Sequence, residues 1–316
     1  MDKNKFIKLL NVPMFAEPFL DYFVTDQDIV IVNTLENKAM TAEDVELKLN
    51  QLQIEELLED AYTRRLLNKK VINNQVYYYI SDFYTKVGLY DCLFNENFSM
   101  LPEETKEQIE KWQFSSYTEE MLPNLQYYAQ GKDTNIGKPR ETFFILDELE
   151  ELLDKSDRFK VIPCNCRILK NDCDKPIEAC LRFDSAIEDR TLGRELSREQ
   201  TRELIIELDR QGLMHTLNAD WRENGPKSMC NCCRCCCYPL RFAENHNTKD
   251  FYPVKHYVAQ IDKQKCNDCG ICIKRCHYNA FSRGNNKEII YDPQKCWGCG
   301  LCKNSCPQQA IEIVRR

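Results

Sequence analysis

The feature that most constrains this chain is an internal duplication with an offset of thirty residues, within 258–316. Asp262, Lys265, Cys266, Cys269, Gly270, Cys272, Cys276 and Ala280 recur as Asp292, Lys295, Cys296, Cys299, Gly300, Cys302, Cys306 and Ala310. Each half reads CxxCxxCxxxC. Three cysteines at two-residue gaps wrap one corner of a metal centre, and that needs a tight loop. Gly270 and Gly300 supply the backbone freedom for it.

These residues resemble the bacterial two-cluster ferredoxins, in which the fourth cysteine of each run ligates the other cluster. The resemblance covers residues 258–316 only. It implies two [4Fe–4S] clusters, one held by Cys266, Cys269, Cys272 and Cys306, the other by Cys296, Cys299, Cys302 and Cys276. The proline that follows the fourth cysteine in that family is present as Pro307, but His277 replaces it in the first half. Zinc bound by four cysteines can share CxxC spacing, yet three cysteines at two-residue gaps, duplicated, favour iron. The chemistry implied is one-electron transfer, because fully cysteine-ligated clusters leave no iron open to substrate. Lys265, Lys274, Arg275, Lys295 and Lys303 sit beside ligands, as partners of a negative cluster core or as solvated surface charge.

The other cysteines extend this reading. Of nineteen, Cys92 alone lies in the first half, and it reads as a small buried hydrophobe. The shift in composition marks a boundary near residue 158. No run approaches the roughly 18 apolar residues of a membrane span. The N-terminus, broken by Pro13, Glu17, Pro18 and Asp21, lacks the apolar core of a secretory signal. A cytoplasmic location is expected. In that reducing compartment dense cysteine points to metal rather than disulfides, and its sensitivity to oxidation points to an anaerobic source.

The middle block holds Cys164, Cys166, Cys173 and Cys180, then Cys230, Cys232, Cys233, Cys235, Cys236 and Cys237. FKVIPC (159–164) reads as a strand delivering Cys164, Cys166 and Arg167 into a loop. Ser197 with Gln200 forms a capping-box signature, Leu204, Ile205 and Leu208 supply an apolar stripe, and Gly212 marks the helix end. His215 is expected near that end, as a ligand, a proton donor or a partner of the helix dipole. Six cysteines within CNCCRCCC cannot all bind one tetrahedral metal from a regular element, since a strand sends neighbours to opposite faces. The ten are enough for one or two further Fe–S clusters, with structural zinc as the alternative. The pattern CxCR…CNCCxCCC followed by the duplicated tail is also similar to a group of ferredoxin-like proteins of anaerobes, a likeness that implies architecture rather than activity.

Residues 26–84 read as three short helices and a hairpin turning at Asn73–Asn74. The order looks like a winged-helix module. The third helix carries Glu55, Glu56, Glu59 and Asp60 against Arg64 and Arg65, and the chain's net charge is −7. Phosphate contacts would be repelled, so docking of a protein or of a second copy is expected rather than nucleic acid. Residues 86–158 read as mostly helical, with a polar loop at 126–141 and a solvated helix face at 147–157.

The expected fold is α+β and multidomain. It comprises a winged-helix-like module (1–85), a helical connection (86–158), a cysteine-rich metal block (159–257) and a two-[4Fe–4S] ferredoxin-like domain (258–316). The leading functional expectation is an electron-transfer protein serving a redox partner. The alternatives are a redox- or iron-sensing winged-helix regulator and a reductase with an irregular cluster at CNCCRCCC. No catalytic residue can be named. Neither GxGxxG nor a P-loop is present.

Overall fold

Alternation of apolar and polar residues along short strands builds the centre of the second half of the chain. The computed structural model describes residues 2–129, 141–249 and 252–315. It divides into two compact units, 1–117 with 168–170, and 118–167 with 171–316. Among the described residues no helix is long and apolar enough to cross a membrane.

The first unit contains α1 (Lys3–Leu10), α2 (Asp26–Leu35), α3 (Ala42–Leu49) and α4 (Glu55–Thr63), followed by β1 (Leu67–Ile72) and β2 (Gln75–Ile80). Thr25 with Asp28, and Thr41 with Asp44, close reciprocal capping boxes on α2 and α3. The hairpin pairs Leu67 with Ile80 through to Ile72 with Gln75, and Asn73 and Asn74 turn it with positive φ. Met40 adds a bridge to Tyr78 on its other side. Among the described residues, ion pairs hold two buried carboxylates of the unit, Asp28 and Asp91. Arg64 grips Asp28 at 2.7 Å and 2.9 Å, and Lys86 meets Asp91 at 2.8 Å with both side chains fully buried. Cys92 is buried, as its sequence context suggests. The polar loop expected at 126–141 falls largely outside the described residues; Gln126–Ala129 continue the helix Glu103–Ala129, and Glu141 opens a strand.

The second unit is organised by a six-stranded antiparallel sheet. Its strands are β3 (Glu141–Phe144), β4 (Phe159–Pro163), β5 (Glu178–Phe183), β6 (Arg194–Leu196), β7 (Met214–Asn218) and β8 (Ser228–Cys232), ordered β3-β7-β8-β5-β4-β6. Strand side chains alternate between faces. Phe144, Phe159, Val161, Leu181, Phe183, Leu217 and Met229 point to one side, where Leu149, Leu152 and Leu153 of one helix and Ile205 of another complete an apolar core. The helix with the expected solvated face at 147–157 is amphipathic: Leu149, Leu152 and Leu153 are buried, while Glu150 and Glu151 on the outer face pair with Arg202 and Arg222. The helix Arg198–Arg210 begins with the expected Ser197–Gln200 box, and Gly212 follows its end with φ of 88°.

The duplicated tail adds β9 (Tyr257–Ile261), β10 (Phe281–Arg283), β11 (Ile289–Tyr291) and β12 (Ile311–Arg315), paired β9 with β12 and β10 with β11. Its two halves interlock through equivalent bonds. Asp262 N–H donates to Ala310 O and Asp292 N–H to Ala280 O, each at 2.8 Å. Gly270 and Gly300 take φ of 80° and 82°, each opening a short helix that carries the third cysteine of its run.

Candidate metal centres

In the tail, each CxxCxxC run is a loop whose start is tied by an aspartate. Asp262 accepts from Gln264 N–H, and Asp292 from Gln294 N–H, both at 2.9 Å. The chain then turns through Gly270 or Gly300 and aims its thiols inward. Two small, almost wholly apolar cavities result. Cys266, Cys269, Cys272 and Cys306 line the first, and Cys276, Cys296, Cys299 and Cys302 line the second. Backbone donors face sulfur at matching positions: Ala280 N–H reaches Cys276 Sγ and Ala310 N–H reaches Cys306 Sγ, each at 3.3 Å. Burial pushes the Cys272 thiol up to about 11 and the Cys299 thiol up to about 12. Buried thiols of this kind carry negative charge only when a cation arrives to balance it. The donor set, its dry walls and its N–H···S bonds all fit a thiolate-bound cluster.

Residues 265–311 match the 4Fe-4S dicluster domain family. The chain thus carries a dicluster iron–sulfur domain at its C-terminal end. No curated protein matches the chain.

The cations flanking the dicluster cysteines are mostly engaged elsewhere. Lys265 and Lys295 pair with Asp262 and Asp292, Lys303 pairs with Asp147, and Lys274 is exposed. Arg275 donates to the carbonyls of Asp209 and Arg210 at the end of the helix Arg198–Arg210, a favourable place for a cation. His277, which breaks the symmetry of the repeat, bonds through Nε2 to Gly212 O at 2.7 Å, and Arg234 donates to His277 O at 2.7 Å. The departure from proline is therefore a tether between the dicluster domain and the sheet-bearing block.

The ten cysteines of the middle block do not stay in their sequence groups. Cys180 and Cys230 are cross-strand partners on β5 and β8, and Cys232 lies two residues further along β8, on the same face by strand periodicity. This face is opposite the apolar core. Cys164 and Cys166 follow β4, and Cys237 precedes the helix Tyr238–Asn245. The six thiols adjoin one another in the order Cys166, Cys164, Cys180, Cys230, Cys232, Cys237. The charge of Cys237 also acts on Cys166, so the row curves back toward its start as an open ring. Cys232 and Cys237 are in direct contact at 2.9 Å. Cys173 leaves its sequence neighbours and joins Cys233, Cys235 and Cys236, four sulfurs all within 4.8 Å of one another. Among the described residues this is the one group of three or more potential ligands gathered so closely.

Arg167 lies between these groups. It is 2 % exposed and donates to Pro176 O and, at 2.9 Å, to Asn231 O. A hydrogen bond from Cys236, joined by the Arg167 guanidinium, pulls the Cys233 thiol down to about 4. The CxCR motif shows Arg167 in the sequence but not its reach. His215 is not at a helix end. It is fully buried in β7, and its Nδ1 meets Asn231 Oδ1 at 2.5 Å. Glu141 gave no signal in the sequence. On edge strand β3, burial and the nearby Cys230 sulfur push its carboxyl up to about 8.

The ring and the dicluster domain share one apolar cluster. Phe143, Met214, Cys232, Cys237, Leu240, Trp297 and Leu301 pack together, with Cys230, Tyr278 and Cys299 against them. Tyr278 stacks on Trp297 at 4.2 Å between ring centres, and both line the second dicluster cavity. A cleft of the first unit, beside Asp28, Arg64 and Tyr90, has no cysteine on its walls.

Proposed function

We propose that this protein transfers electrons one at a time between its dicluster domain and a redox partner protein in the cytoplasm, with the six-thiol ring as a further Fe–S site on the route. The observation that carries the reading is the lining of the two tail cavities: each has three cysteines of one repeat and the fourth of the other. Cys266, Cys269, Cys272 and Cys306 would hold one [4Fe–4S] cluster, and Cys276, Cys296, Cys299 and Cys302 the second. A cluster so bound supplies reversible one-electron chemistry. The chain excludes water with Trp297, Tyr278 and Leu301, and aims Ala280 and Ala310 N–H groups at sulfur. The shared apolar cluster supports a path from the second cavity to the ring, because it places Cys299 and Cys237 in one packed environment.

The N-terminal unit is read as a winged-helix-like module that docks a protein. Its charges support protein over DNA. Glu59 of α4 engages Lys69, Asp60 engages Arg64, and Glu55 and Glu56 stay exposed, so the basic residues beside that helix are already spent on carboxylates. Leu47, Leu52 and Val71 are exposed in the same unit and offer apolar contact.

The test is an oxygen-free potentiometric titration of the full chain, followed by mixing the reduced protein with an oxidised viologen. At least two electrons per chain should be taken up and passed on. No uptake anywhere between about −700 and +450 mV would refute electron transfer.

A further inference from the structure

The close-set thiols of the middle block have a spacing with a chemical meaning. Cys173 Sγ lies 3.7 Å from Cys233 Sγ and 3.8 Å from Cys236 Sγ, and Cys235 lies 3.7 Å from Cys236. A single tetrahedral ion with metal–sulfur bonds of about 2.3 Å places its sulfurs about 3.8 Å apart. A cubane cluster puts a different iron under each thiolate and spreads the four well beyond that edge. The dicluster cavities show this wider arrangement, since no three of their thiols gather within 4.8 Å.

We infer that Cys173, Cys233, Cys235 and Cys236 bind one tetrahedral metal ion, zinc or iron, and not a cluster with inorganic sulfide. The inference rests on the reading of the cysteine block as metal-binding. The local chain supports it. Cys233, Cys235 and Cys236 sit in one tight turn between β8 and the helix Tyr238–Asn245, closed by Cys237 N–H donating to Cys233 O at 3.3 Å. Such a turn supplies three corners of a small polyhedron, and Cys173 supplies the fourth from the loop before β5. Leu208, Leu213 and Ala179 pack against the set. On the outer side Lys175, Arg234, Glu244 and His277 line an open cleft. The Arg167 guanidinium lies beside Cys233 on the inner side and offsets part of the charge of four thiolates. Because His277 and Arg234 also tie the dicluster domain down, an ion here would fix the corner on which that domain rests.

The experiment is metal and acid-labile sulfide analysis, with native mass spectrometry, of the full chain purified without oxygen, beside Cys235→Ser and Cys235→His. The unmutated chain should show one ion beyond its clusters. Cys235→Ser should lose about one zinc or iron with sulfide unchanged. Cys235→His should retain the ion, because Cys₃His also satisfies a tetrahedral site, and it separates ligand loss from misfolding. Loss of about four irons together with four sulfides in Cys235→Ser would overturn the single-ion assignment. A chain without sulfide in any form would instead refute the electron-transfer reading and leave the ion count to stand or fall by itself.

Discussion

The dicluster domain and the middle block use the same side chain to opposite ends. In the first, thiols are set apart around a dry cavity by a loop that a glycine lets turn. In the second, a sheet lines up Cys180, Cys230 and Cys232 on one face while an adjoining turn crowds Cys233, Cys235 and Cys236. Wide spacing leaves room for a cluster with its own sulfide; tight spacing leaves room for an ion. The lesson is that cysteine counts do not identify a centre, whereas sulfur separation and the element that delivers each sulfur do.

Several changes would break or sharpen this contrast. The largest effect is expected from Cys306→Ser. That residue belongs to the second repeat, yet it lines the cavity of the first, so the variant should lose about four irons and four sulfides from that cavity alone. Iron analysis and EPR would check this, with one dicluster signal surviving.

The N-terminal unit, whose described residues gather no thiol site, should respond to acid instead. Burial would raise the Asp28 carboxyl, but Arg64 outweighs it and holds Asp28 below its ordinary value. A carboxyl lowered in the folded state contributes stability above its unfolded pKa of about 3.9 and loses it as pH falls through the folded value. Arg64→Met should cost about 3 kcal/mol at neutral pH, by leaving a buried carboxylate unpaired. Denaturant titrations should show the gap between variant and parent closing below about pH 4.

Arg167→Met should act on the middle block alone. It removes the donor to Pro176 O and Asn231 O and the cation beside Cys233, for a cost of about 2 kcal/mol. Metal analysis should then show weaker retention in both middle groups while the dicluster signals persist. The smallest effect belongs to His277→Pro, which makes the two repeats alike. It removes the bond to Gly212 O, worth about 1 kcal/mol. Hydrogen exchange should quicken around residues 208–213 with both dicluster signals intact.

The sequence reading went furthest where structure is local. The repeat specified the cysteine loops and the glycines that turn them, and left the strands around them unread. The helix Arg198–Arg210 was visible from its capping box and its apolar stripe, because each signal lies within a few residues. The sorting of the ten middle cysteines was not visible. It depends on β5 pairing with β8 across some fifty residues, which sets Cys180 beside Cys230 and sends Cys173 elsewhere. His215 was misplaced for the same reason: after Gly212 the chain enters β7, whose partners β3 and β8 are distant in sequence. Strand β3 was missed within a stretch read as helical, since four residues ending in Phe143 and Phe144 carry no period of their own. The partner of His277 could not be read either, because Gly212 lies sixty-five positions away.

The central claim is that the tail thiols hold iron and sulfide. The most direct test is the iron and acid-labile sulfide content of the full chain isolated without oxygen. About eight of each, or more with the ring filled, is the expected result. A colourless protein carrying zinc and no sulfide would contradict it.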